Sequence, residues 1–94
     1  MVISYLWYMA KERVVEKKLG RHKTEGYPVV GLAHFDENLI EIDPRQNSKD
    51  YLDTAIHEKL HLMFPNWEHD LITPTANKLT KYLWKMGYRK VNLK

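Results

Sequence analysis

His57, Glu58 and His61 are the residues of this 94-residue chain best placed to do chemistry. They lie in the run His57-Glu58-Lys59-Leu60-His61, spaced HExxH. On an α-helix each residue advances about 100°, so His61 returns to within roughly 40° of His57 one turn later. Two imidazoles at that spacing can bind one metal ion, and the carboxylate between them can reach water on that ion. Chance is a weak competitor, because the His and Glu content gives roughly 0.02 expected matches. The pattern predicts Zn²⁺ held by His57 and His61, with Glu58 as the group that moves a proton.

A catalytic zinc takes three protein ligands and keeps one position for water. The chain has no cysteine, so thiolate ligands and disulfides are excluded and the third ligand is His, Asp or Glu. The candidates after the chain turns at Pro65 are Glu68, His69 and Asp70. His69 extends the series 72, 76, 79, 83, 86 backwards in register, so helical phase favours it; Glu68 lies about 100° away.

The elements that must position these residues are legible in outline. Leu52, Ala55, Ile56, Leu60 and Met63 form an apolar stripe for the motif helix. Ser48 is read as its N-cap, Asp50 sits in the first turn, and Pro65-Asn66 closes it. A last segment runs from near Trp67 to Gly87, with Ile72, Ala76, Leu79, Leu83 and Met86 on one face. It begins either near Trp67 or at a Thr73-Pro74 cap. Upstream, 29–35 (VVGLAHF) and 39–42 (LIEI) read as two strands joined by Asp36-Glu37-Asn38 and ended by Asp43-Pro44. Residues 20–28 read as a loop. Residues 2–19 read as a helix capped by Ser4, with a strand over 2–9 as the alternative. The expected fold is α+β: one domain over 1–94, with a hairpin or small sheet packed on the motif helix and a C-terminal helix. Residues 1–26 are its N-terminal extension.

Composition narrows the setting. The apolar fraction of 44% supports one modest core. No run approaches the ~20 apolar residues of a membrane span. The apolar opening lacks a basic n-region and a cleavage site, so neither a signal peptide nor a membrane contact is expected, and a reducing cytoplasm fits the absence of cysteine. Charge is uneven. Residues 32–70 carry three Lys/Arg against nine Asp/Glu, whereas residues 71–94 carry six Lys/Arg and no acid. The acidic middle favours a bound cation. The basic C-terminal segment (Lys78, Lys81, Lys85, Arg89, Lys90) is a candidate nucleic-acid surface, against the plainer reading of a solvated helix back.

The other notable residues each have a plain reading. His34 is expected to pack or pair across the hairpin, and His22 to be solvated. Trp67, Tyr82, Trp84 and Tyr88 are expected in the core. Asp53 is either solvated or a hydrogen-bond acceptor for a ligand imidazole.

The order hairpin, HExxH helix, turn and closing helix resembles the minimal zincin-type metallopeptidases, including small bacteriophage-encoded ones. The resemblance covers roughly residues 27–90, and the stretch Leu83-Trp84-Lys85-Met86-Gly87-Tyr88-Arg89 also looks like the closing helix end of such proteins. It implies peptide-bond hydrolysis on a peptide or protein substrate, with Zn²⁺ on His57 and His61 and Glu58 as general base; His69, from its helical register, is the preferred third ligand. It also implies an edge strand, here residues 39–42, that pairs with extended substrate. An oxyanion donor is then needed, and Tyr88, His34 and Arg89 qualify by type. The chain departs from the metzincin extension HExxHxxGxxH, because Phe64 and Trp67 occupy the Gly and third His positions. The alternative is a zincin-derived, metal-stabilised binding protein without turnover. Glu58 counts against a third option, a three-His hydrolase acting on RNA.

Overall fold

The computed structural model describes residues 11–19, 23–24 and 27–90. Five strands and two helices occur among them. The strands are β1 (Arg13–Glu16), β2 (Lys23–Thr24), β3 (Tyr27–Pro28), β4 (Gly31–His34) and β5 (Leu39–Ile42). The helices are α1 (Ser48–Met63) and α2 (His69–Lys85). Strands β1, β5 and β4 form one sheet in that order, and β2 pairs with β3 in a two-residue ladder. Three strands with two helices packed together make the α+β architecture expected from the sequence.

β5 is the central strand. It pairs with β1 in parallel, Arg13 opposite Leu39, and with β4 antiparallel, His34 opposite Leu39. Ile40 and Ile42 alternate along it and are almost wholly buried. Each such side chain contributes about 1.5–3 kcal/mol by leaving water. Both flanks of β5 are taken, so residues 39–42 are not the open edge expected for substrate; β4 is a terminal strand instead. The hairpin turn spans Phe35–Asn38, one residue longer than expected, and β4 covers only Gly31–His34 of the expected 29–35. Asn38 adopts φ 50°, a left-handed conformation that asparagine tolerates.

The expected helix over 2–19 is corrected where it can be seen. Residues 13–16 form a strand, held by Arg13 N–H on the Asn38 carbonyl (3.0 Å) and Lys17 N–H on the Ile42 carbonyl (3.0 Å). The partner lies some twenty-six residues away, beyond the reach of local periodicity. The Ser4 cap and the 2–9 strand fall outside the described residues. Leu19, just after β1, is a core residue, and its N–H donates to the buried Asp43 carboxylate (2.9 Å). Arg45 closes on the same carboxylate through Nε and Nη2 and holds it well below the usual carboxylate range. Asp43 thus ends β5 and fastens the N-terminal chain to the sheet.

Asn47, not Ser48, caps α1: its Oδ1 accepts the Asp50 N–H at 2.9 Å. α2 starts at His69, so Pro74 lies inside the helix rather than at its first position. Proline there forgoes one helical hydrogen bond, while Ile72 and Ala76 are wholly buried and make the extra turn worthwhile. Gly87, at φ 96°, ends the helix. Its N–H donates to the Trp84 carbonyl and that of Tyr88 to Leu83, the Schellman arrangement.

The helices meet through Leu60, Ile72 and Ala76, with Ile56, Phe64 and Trp67 packed around them. The packed face of α2 is rotated from the expected stripe. Thr80 is buried, its hydroxyl lying 2.8 Å from the Ala76 carbonyl and 3.1 Å from Asp53 Oδ1 on α1, whereas Leu79 and Met86 are exposed. Met63, expected in the α1 stripe, is exposed as well.

Candidate metal centre

The two helices bring three imidazoles together. His57 and His61, one turn apart on α1, face His69 in the first turn of α2. His57 Nε2 lies 3.2 Å from His61 Nε2 and 3.2 Å from His69 Nε2. Ligand atoms of all three lie within 4.8 Å of one another. The turn that makes this possible carries a ring stack, Phe64 on Trp67 with centroids 4.2 Å apart, which seats the start of α2 against α1. Glu68 is the N-cap residue of α2 and Asp70 lies in its first turn; neither joins the cluster. Both line an open cavity of about 400 Å³ with Asn66, Trp67 and Leu71.

Two of the three nitrogen pairs, those made by His57, match the spacing that a tetrahedral ion sets. Metal–nitrogen bonds of about 2.0–2.1 Å at tetrahedral angles place ligand nitrogens about 3.3 Å apart. The His69 Nδ1 lies 3.4 Å from the Thr73 hydroxyl. A proton on Nδ1 facing that oxygen leaves the Nε2 lone pair directed at the cluster. Burial pushes the pKa of His57 down to about 4, with the neighbouring His61 and His69 adding to the effect. His61 is lowered too, first by burial and then by His69. Both are therefore neutral at pH 7, the form that donates to a metal.

Glu58 sits about 100° around α1 from His57, turned towards the sheet. It is only 9% exposed, and burial pushes its pKa up to about 7, opposed by the nearby His34. The close approach depends on Gly31 in β4. A Cβ there would stand 2.5 Å from Thr54 Cγ2 and 3.0 Å from both Cγ and Oε2 of Glu58. Any larger residue would push the strand off the helix at this carboxylate. Neither Gly31 nor Thr54 was singled out by sequence, although a glycine inside a strand-like run marks close backbone approach.

The remaining candidates lie elsewhere. Asp53 accepts from Thr80 and ties the helices together instead of orienting an imidazole. His34 Nε2 meets Glu41 Oε1 at 2.8 Å, a diagonal pair across the hairpin, and stays near Glu58. Tyr88 and Arg89 follow the C-terminal end of α2, about 28 Å along the helix from His69 at 1.5 Å per residue, too far to serve the site. Arg89 lies over the Trp84 ring at 3.4 Å and donates to the Trp84 and Tyr88 carbonyls. His22 falls outside the described residues. Among those described, no helix is long and apolar enough to cross a membrane. Comparison with known protein families, curated proteins and solved structures finds no match to this chain.

Proposed function

We propose that this chain is a zinc-dependent peptidase in which His57, His61 and His69 hold Zn²⁺ and Glu58 is the general base. The observation that carries the reading is the convergence of three imidazoles, with a buried glutamate adjacent in sequence to His57 on the same helix. The HExxH resemblance supplies the reaction class. Zn²⁺ bound by these residues supplies Lewis acidity, lowering the pKa of water towards ~7 and polarising a carbonyl.

The chain's own residues do the rest. Glu58 takes a proton from the attacking water on its carboxylate and hands it to the leaving amine nitrogen. A pKa near 7 suits a group that must both accept and return a proton at neutral pH. Gly31 keeps β4 against Glu58, so an extended peptide adding to the terminal strand β4 is brought alongside that carboxylate. His34, at the end of β4 and close enough to influence Glu58, remains the candidate for stabilising the developing oxyanion.

Zinc-loaded protein is expected to cleave members of a broad peptide library; chelation stops the cleavage and added zinc restores it. Mass spectra without a chelator-sensitive product would defeat the reading. The ligand set has its own test. His69→Ala is expected to weaken zinc affinity at least ~100-fold, more than loss of an outer-shell partner does. Glu68→Ala, at an exposed cap, should change it by less than about threefold. Isothermal titration of both variants decides between them, and the reverse ranking would transfer the third ligand to Glu68.

A further inference from the structure

An apolar face of α2, about 100° round the helix from its core contact, is uncovered by any other described element. Leu71 is 48% exposed, Leu79 40%, Tyr82 60% and Met86 56%. At about 100° per residue these four fall within an arc of roughly 80°. His69 lies on the other side of the helix, so this face stands apart from the metal reading. Lys78 and Lys85 run along one flank of the arc, about 20° and 40° beyond Leu71, with Lys81 further round.

We infer that this face docks an acidic amphipathic helix of a partner protein. The spacing of Leu79, Tyr82 and Met86, three and then four residues, is that of positions a, d and a in a helix–helix seam. Lys78 and Lys85 then occupy successive g positions, where charge selects the partner. The matching e positions are Ala76 and Leu83, which turn towards the chain's own core, Ala76 wholly buried. The face is therefore cationic on one side and apolar in the middle, and a helix with Leu at its seam and Glu facing the lysines complements it.

The alternatives fit less well. A second copy packed antiparallel sets lysine against lysine; packed parallel, it sets lysine against the buried Ala76 and Leu83. For nucleic acid the basic surface is smaller than the sequence suggests. Arg89 is folded over Trp84, and Lys90 pairs with Glu16 at 3.4 Å and lies over the Tyr51 ring. Phosphates would also leave four large apolar side chains in water. A lipid surface is met by a broad apolar face with the whole opposite side basic, whereas here the apolar arc is narrow and the lysines run along one flank of it.

The test uses the full chain and two synthetic helical peptides of about three heptads, with Leu at a and d and either Glu or Lys at e and g. The Glu peptide is expected to bind with a Kd on the order of 10–100 µM, as befits a short seam, and the Lys peptide at least tenfold more weakly. The Leu79→Ser, Tyr82→Ser double variant, changed only at exposed sites, should lose at least tenfold in affinity with its circular dichroism unchanged. The Lys78→Glu, Lys85→Glu variant should reverse the preference between the peptides. Equal affinity for both peptides, or no binding of the Glu peptide, overturns the inference. So does binding of phosphatidylserine vesicles or duplex DNA in its place.

Discussion

Glu58→Gln is expected to leave the fold and zinc uptake in place and to lower peptide hydrolysis by ~10² or more. The amide matches the carboxylate in size, so the close approach to Gly31 survives. What is lost is the ability to take up a proton, which a carboxylate has and an amide lacks. The same substitution should also stabilise the metal-free protein. The folded pKa of Glu58 is raised from 4.5 to about 7, so the fold favours the protonated acid. Its burial is compatible with stability below pH 4.5, and stability is lost as pH rises through 7. At pH 8 the ionised carboxylate costs about 3 kcal/mol, which glutamine removes. Chemical denaturation of chelated wild type and variant at pH 5 and pH 8 should show a gap that opens only at the higher pH. Equal turnover by the two proteins would end the general-base role. Tight metal-dependent binding of a protein without turnover by either would favour the binding-module alternative.

His57→Ala and His61→Ala are each expected to abolish zinc binding at micromolar metal, from about one ion per chain in the wild type. Two of the three proposed ligands share α1, and His57 Nε2 is the atom 3.2 Å from both others. Full zinc occupancy in the double variant, by elemental analysis after dialysis, would defeat the metal centre altogether. Acid should mimic these substitutions. The folded pKa of His57 is depressed from 6.5 to about 4, so between those values the unfolded chain binds more protons. The metal-free fold therefore loses stability as pH falls from 6.5 towards 4. Zinc affinity of the folded protein should fall as pH drops to about 4 and below, where protons compete with metal for the His57 Nε2 lone pair. A chelator competition series from pH 7 to pH 3.5 measures this, and an affinity that does not fall near pH 4 would exclude His57 as a ligand.

By itself the sequence determined the local features. HExxH placed two imidazoles on one helix face, because that follows from 3.6 residues per turn. The apolar periods located both helices and the hairpin, and the register of Ile72 and Ala76 ranked His69 above Glu68. It misplaced what depends on distant partners. Nothing within residues 13–16 announces a parallel strand, because its stabilising bonds are to residues 38–42. For the same reason β5 reads as an edge until β1 is laid beside it. The outward turn of Leu79 and Met86 follows from how α2 rolls on α1, with Thr80 and Asp53 at the contact. The environment of Glu58 is likewise tertiary. Its type and position are written in the motif, but its burial, and with it the raised pKa, requires β4 to pass close over α1 at Gly31. Helical periodicity is a property of neighbours in the chain, whereas desolvation and strand order are properties of neighbours in space.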